Sequence, residues 1–229
     1  MRPVLRRNAE RIRRTILTLA ALAVVATVSV RLYADEPYAR HRDYDLQHSR
    51  IALRFDVEQK KVIGDVTHTL AILHDATSKI EFDSVGLTIQ SVTLNKAPAK
   101  FNNTATKLII PLPAAAHSGE KFEIDIRYEG KPAKGLYFIL PDKDYPNRPK
   151  QIWSQGESED TRFYLPTYDY PNDRLTTETI LTVPASWITV ANGKLISVSK
   201  AADNMKTWTW RESLPSSTYL ITVVAGEFD

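Results

Sequence analysis

From Ile51 to Glu58 the chain reads Ile-Ala-Leu-Arg-Phe-Asp-Val-Glu, with apolar and polar residues alternating at a period of two. That is the pattern of a strand buried on one face. Residues 62–73 continue as a long apolar-rich partner, and Gln59-Lys60-Lys61 is the expected hairpin tip. The same reading predicts strands over 79–83, 87–94, 107–112 and 122–128, the last a strict Phe-Glu-Ile-Asp-Ile-Arg-Tyr alternation. Further along it predicts strands over 178–183, 187–191, 194–198, 206–211 and 219–225. Asn192-Gly193 between two of these is a strong two-residue turn signal. No stretch beyond residue 35 has a helical period. Short strands punctuated by Pro, Gly and Asn predict an all-β domain, an antiparallel β-sandwich or distorted barrel, spanning residues 40–229. Residues 140–150, with Pro141, Pro146 and Pro149, read as an ordered irregular loop.

The first 34 residues follow a different pattern. They hold seven Arg (Arg2, Arg6, Arg7, Arg11, Arg13, Arg14, Arg31) against one acid, Glu10, and Thr15 to Val30 is uncharged. A basic segment followed by an apolar one predicts a signal peptide or signal anchor over 1–34. As a helix, the uncharged run would reach ~24 Å, short of the ~30 Å hydrocarbon core, which favours cleavage. Ala34 is the small-residue position available for it, with Leu32 poorly placed before it. Arg13-Arg14 loosely resembles a twin-arginine signal. The expected location is therefore outside the cytoplasm: periplasmic, secreted or membrane-anchored, with any membrane contact made through the N-terminal segment.

This leader changes the meaning of the charge. The whole chain carries +3. The leader alone carries +6, so the rest is −3 and mildly acidic, which argues against nucleic acid as a partner. The absence of cysteine excludes disulfides and Cys-ligated metals. The histidines His41, His48, His68, His74 and His117 show no H-E-x-x-H spacing and read as surface or strand-edge residues. His68 and His74, six apart, are expected on one face of a strand. There is no serine nucleophile elbow and no Gly-rich phosphate loop, so no catalytic residue and no metal ligand is assigned.

Residues 153–171, Trp-Ser-Gln-Gly-Glu-Ser-Glu-Asp-Thr-Arg-Phe-Tyr-Leu-Pro-Thr-Tyr-Asp-Tyr-Pro, have neither period. A loop this long and this chemically loaded is usually functional. Glu157, Glu159, Asp160 and Asp169 would serve as glycosidase acids only with a cleft around them. The order Gln155-x-Glu157, Arg162, Pro166-x-x-Asp169-x-Pro171 resembles the N-terminal domain of the aminopeptidase N and leukotriene hydrolase family of zinc aminopeptidases. The family pattern is T-Q-x-E-x-x-x-x-R-x-x-F-P-C-x-D-x-P. Ser154 stands here for Thr, Leu165 for Phe and Thr167 for Cys, with the spacing kept. Gly135-Leu136-Tyr137-Phe138 upstream resembles the family's flank, as do Leu181-Thr182-Val183-Pro184, Ala191-Asn192-Gly193-Lys194-Leu195, Trp208 and Tyr219-Leu220 downstream.

The resemblance implies a saddle-shaped all-β domain lying against a thermolysin-like catalytic domain of the same parent chain. That domain would carry the zinc; no cofactor is expected in these 229 residues, which look like a fragment lacking it. By the same resemblance Glu157 binds the α-amine at the peptide substrate's N-terminus. Gln155 lines the first side-chain pocket, and Gly156 leaves its floor open. Arg162, Pro166, Asp169 and Pro171 are expected to hold the loop, while Glu159 and Asp160 are acids outside the motif. The competing reading is a stand-alone cell-envelope binding module for carbohydrate or protein.

Overall fold

The alternating strands 51–56, 62–72 and 122–128 each have a buried row, and in the computed structural model these rows converge on one core. The structure describes residues 39–228, so the leader predicted for 1–34 lies outside the described residues. Fifteen strands follow in chain order: β1 (Tyr44–Asp56), β2 (Lys61–Ile72), β3 (Thr77–Asp83), β4 (Leu87–Leu94), β5 (Ala97–Pro98), β6 (Asn102–Asn103), β7 (Lys107–Ala116), β8 (Lys121–Gly130), β9 (Leu136–Ile139), β10 (Gln151–Ser154), β11 (Leu175–Pro184), β12 (Ile188–Ala191), β13 (Lys194–Ala201), β14 (Met205–Ser216) and β15 (Val223–Gly226). The helical elements among the described residues are two single 3-10 turns, Thr161–Phe163 and Thr218–Leu220. None is long and apolar enough to cross a membrane.

The strands form three sheets. The largest has the order β13-β14-β11-β1-β2-β8-β4-β5, a second β12-β15-β10-β9, and a third β3-β7-β6. No sheet closes into a barrel. The expectation of a purely antiparallel fold is corrected at one place: β1 and β11 run parallel, with His48 opposite Thr176 and Arg54 opposite Thr182. Parallel partners need a long crossover, and here everything from β2 to β10 lies between them in sequence.

The shared core draws Ile51, Val66 and Ile126 from the large sheet, Phe82 and Ile110 from β3 and β7, and Ile152 and Val223 from β10 and β15. A turn and a strand expectation are also corrected. Asn192-Gly193 joins no hairpin, because β12 pairs with β15 and β13 with β14. The chain passes there from one sheet to another, and the Asn192 side chain ties this passage to the last strand region, accepting from Thr222 N at 2.6 Å and donating to Leu220 O at 3.0 Å. The strand expected over 219–225 is a 3-10 turn followed by the shorter β15.

The histidine expectation fails at His68, which is fully buried. In β2, Val66, His68 and Leu70 share the buried phase of the alternation. The ring lies 4.7 Å from that of Phe82 and reaches Pro166 O from Nε2 at 2.8 Å. A carbonyl only accepts, so Nε2 carries the proton, and Nδ1 accepts from Ser49 Oγ at 2.7 Å. His74 is not on the same strand face; it follows β2 and bonds Arg42 O from Nε2 at 3.0 Å.

Burial lowers the His68 pKa from 6.5 to about 4. A group whose folded pKa is depressed supports the fold fully above its unfolded pKa and loses that support as pH falls through the window down to the folded value. Between pH 6.5 and 4 the chain should therefore lose on the order of 3 kcal/mol of unfolding free energy through this residue. Urea unfolding of wild type and His68→Gln at pH 7.5, 6 and 5 measures it. Wild type should weaken more steeply than the variant, and parallel slopes would contradict the assignment.

Gly64 in β2 faces Tyr128 in β8, and a Cβ at Gly64 would lie 2.1 Å from Tyr128 Cζ. The ring cannot move freely, because its hydroxyl donates to Tyr164 O at 2.9 Å. Gly64→Ala should therefore cost ~1–3 kcal/mol through overpacking, seen as a fall in melting temperature of ~5 °C. An unchanged melting curve would show that the ring has room to shift.

Candidate functional site

β10 ends at Ser154, and the chemically loaded loop begins there. Gln155 N still donates to Gly135 O at 2.8 Å, extending the line of β9 and β10 by one step. Ser154 Oγ bridges to the last strand, accepting from Val223 N at 2.8 Å and donating to Ile221 O at 3.2 Å. The chain then turns through residues 157–160, with Asp160 N donating to Gly156 O at 2.9 Å, and enters the Thr161–Phe163 turn.

Two glycines permit this path. A Cβ on Gly156 would stand 2.7 Å from Tyr219 O, and one on Gly135 would stand 1.9 Å from Asp160 O. Gly135 also has φ +75°, a conformation that side chains disfavour. The expectation that Gly156 keeps a pocket floor open is thereby corrected: Gly156 is buried under the backbone of Tyr219.

Past Thr161 the loop has no ladder of its own, yet residues 164–169 are buried. Its backbone groups must find other partners. Asp83, the last residue of β3, supplies several. Its N–H donates to Thr167 O at 2.7 Å and its carbonyl accepts from Thr167 N at 3.1 Å. Its carboxylate accepts from Asp169 N at 3.0 Å and from Lys107 Nζ at 2.6 Å. From the large sheet, His68 takes Pro166 O and Tyr128 takes Tyr164 O. Thr218 Oγ1 lies within 3.2 Å of Tyr168 O and 3.3 Å of Asp169 Oδ1, and Ser217 Oγ donates to Pro171 O at 3.2 Å.

Arg162 and Asp169 meet directly. The Asp169 Oδ2 atom accepts from Arg162 N at 3.0 Å and from Arg162 Nε at 3.1 Å, and Arg162 Nη2 donates to Asp169 O at 2.8 Å. Asp169 is fully buried while the Arg162 side chain is 20% exposed. Burial pushes the Asp169 carboxyl above its usual range, and the Arg162 N–H and guanidinium pull the other way. Charge-assisted bonds of this kind are about twice as strong as neutral ones. Glu159 also pairs with Arg162 Nη2, so this acid is part of the network and not the bystander expected from its place outside the motif.

Gln155 and Glu157 stand apart from this network. Both side chains are exposed and neither forms a hydrogen bond or ion pair with the described residues. The loop thus has a locked half, 161–171, holding Arg162, Pro166, Asp169 and Pro171, and an open arm holding Gln155 and Glu157. Among the described residues no group of three or more His, Asp or Glu is placed to share a metal ion. His68 is committed to Ser49 and Pro166, so the described residues offer no ligand set for the zinc that the resemblance implies elsewhere in the parent chain.

Sequence reasoning missed the residues that hold the loop from outside: Asp83, Lys107, His68, Tyr128 and Thr218. His68 and Tyr128 had a local signal, their places in the buried phases of β2 and β8; Asp83, Lys107 and Thr218 had none.

Comparison with known proteins agrees with the motif. The Peptidase M1 N-terminal domain profile matches residues 41–220. Leucine aminopeptidase 2 of Vanderwaltozyma polyspora is 23% identical over 197 residues, covering 83% of this chain and 30% of that protein. Leukotriene A-4 hydrolase of Xenopus laevis is 22% identical over 203 residues, covering 84% of this chain and 33% of that protein. The crystal structure of an M1 zinc metallopeptidase from Deinococcus radiodurans superposes with a TM-score of 0.71 at 27% identity, over 83% of this chain and 44% of that one. A mutant of that enzyme bound to a Tyr-Ser-Ala substrate gives 0.71 at 28%. The chain therefore spans about a third of the curated relatives and under half of the solved enzymes. With its fold, its motif spacing and a profile match over most of its length in agreement, the chain belongs to the M1 peptidase N-terminal domain family.

Proposed function

We propose that this chain is the non-catalytic N-terminal domain of an exported zinc metallo-aminopeptidase that removes N-terminal residues from peptides. Its contribution is to hold the substrate's N-terminus. The observation that carries the reading is the division of the loop: Glu157 is exposed, with no hydrogen bond or ion pair to the described residues, three residues beyond β10, on an arm whose far end is fixed by Arg162, Asp169 and Asp83. A carboxylate so mounted can pair with a peptide's α-ammonium and admit only chains that end there. Gln155, two residues earlier and also exposed, would meet the first side chain. The peptide-bound state of the Deinococcus enzyme supports peptide as the substrate class. Export rests on the basic and apolar leader over residues 1–34. The zinc and the residues that activate water would belong to the thermolysin-like domain of the same parent chain.

The test begins with the gene. An H-E-x-x-H motif encoded downstream of Asp229 is expected, and its absence would favour a stand-alone binding module. In the full-length enzyme, Glu157→Ala should lower peptide turnover by ~10²–10⁴-fold through lost positioning. Its melting temperature should stay within about 1 °C of wild type, since an exposed carboxylate contributes little to stability. Asp169→Ala removes the acceptor of both the Arg162 amide and Arg162 Nε, and should lower the melting temperature by on the order of 10 °C. Asp160→Ala is the control for a nearby acid, because Glu159 is engaged by Arg162. Equal activity in the Glu157 and Asp160 variants would overturn the assignment of Glu157.

A further inference from the structure

The outer face of the large sheet carries charged side chains in register, and most of them are matched. Glu178 on β11 takes Arg50 from β1 at 3.4 Å and Arg211 from β14 at 2.7 Å. Glu129 on β8 takes Lys61 from β2 at 2.7 Å. Arg127 Nε donates to Asp65 Oδ2 at 3.2 Å, which leaves Asp65 Oδ1 open. Arg54 breaks the pattern. It is exposed, and its guanidinium forms no hydrogen bond or ion pair with the described residues.

Beside Arg54 the face is hollow. Ala52 stands opposite Asp65 on one side and Ile180 on the other, and its methyl group leaves space between longer side chains. The hollow measures about 440 Å³, within the ~300–1,000 Å³ of ligand clefts. Arg54, Arg127, Asp65 and Ile63 line it, and so does Gln90 from β4. Gln90 is the extra residue of a β-bulge: the register with β8 shifts between Ile89 and Ser91, and Gln90 and Ser91 are both exposed between buried Ile89 and Val92. A bulge re-aims a side chain, and bulges recur beside active sites. The Gln90 amide also has no bond to the described residues. In the same strands His68 and Tyr128, which hold the 161–171 loop, lie in the opposite phase to Asp65 and Arg127. The hollow is therefore on the face of the sheet turned away from that loop.

Its chemistry narrows the ligand. Two guanidinium groups face one carboxylate, on a domain whose residues beyond 34 carry −3. Such a local excess of positive charge selects an anion. A planar guanidinium with its donors free fits a carboxylate or phosphate group through two parallel bonds. A bare anion would leave Asp65 Oδ1 and the Gln90 amide unused; both suit hydroxyl groups beside the charge. Ala52 and Ile63 offer an apolar floor to the C–H face of a ring. We infer that this hollow binds an acidic sugar, with its carboxylate or phosphate on Arg54 and its hydroxyls on Asp65 and Gln90.

NMR titration of the isotope-labelled 229-residue chain tests this. Glucuronate and glucose 6-phosphate are the two acidic sugars; glucose and inorganic phosphate are the two halves of such a ligand. At least one acidic sugar should give saturable amide shifts centred on Ala52, Ile63, Gln90 and Arg127. Glucose and phosphate should each bind at least ~10-fold more weakly, since each lacks part of the contacts. Arg54→Gln should lower the affinity ~10-fold or more, with the fold intact because Arg54 holds no partner. Ala52→Leu, which fills the hollow, should abolish the shifts. Lys200→Gln, an exposed cation on β13, should leave the affinity unchanged. Phosphate binding as tightly as the acidic sugars would reduce the hollow to an adventitious anion only and overturn the inference. Glucose binding as well as glucuronate, full affinity in Arg54→Gln, or no saturable shift with either acidic sugar would overturn it equally. None of these results bears on the aminopeptidase reading.

Discussion

Asp83 closes the fold around its loop. As the final residue of β3 it makes a two-bond bridge with Thr167, and its carboxylate receives the Asp169 amide and Lys107. Asp169 in turn receives the Arg162 amide and guanidinium. Six consecutive loop residues are buried without a strand ladder, and an unpaired buried backbone group costs about 1–3 kcal/mol. Side chains from three elements supply the missing partners: Asp83 from β3, His68 from β2 and Tyr128 from β8. Removing a member leaves a buried charge or carbonyl unmatched, which costs more than the bond contributed.

This fixed half gives the exposed half its meaning. Glu157 lies five residues before Arg162, whose carbonyl accepts from Val85 N at 3.0 Å and whose side chain is held by two acids. On the other side Ser154 is tied to Val223 and Ile221. An arm anchored at both ends positions a carboxylate at little cost in conformational freedom. The same small sheet that anchors one end leaves Ile188, Val190 and Trp153 exposed on its outer face.

Much of this was legible in the chain. Period-two alternation located the principal strands, with bounds of 87–94 read correctly at β4. The density of acids, aromatics and prolines in 153–171 located the candidate site. What was not legible is long-range. The parallel pairing of β1 with β11 has no local mark, since each strand would alternate identically with any neighbour. Asn192-Gly193 is the same turn signal whether it joins paired strands or passes the chain between sheets. Asp83 follows Phe82 out of phase with the buried row, so nothing local marks it as a buried acid. His68 differs: its phase with Val66 and Leu70 was visible, and reading histidine as a surface residue overrode it.

Native-state hydrogen exchange on the 229-residue chain tests the central claim, that one half of the loop is locked by buried polar bonds and the other presents Glu157. The amides of Asp83, Arg162, Thr167 and Asp169 all donate within the network. They should exchange only with global unfolding, while those of Glu157 and Ser158 exchange by local opening, faster by ~10³-fold or more. Rapid, uniform exchange from 155 to 171 would contradict the account.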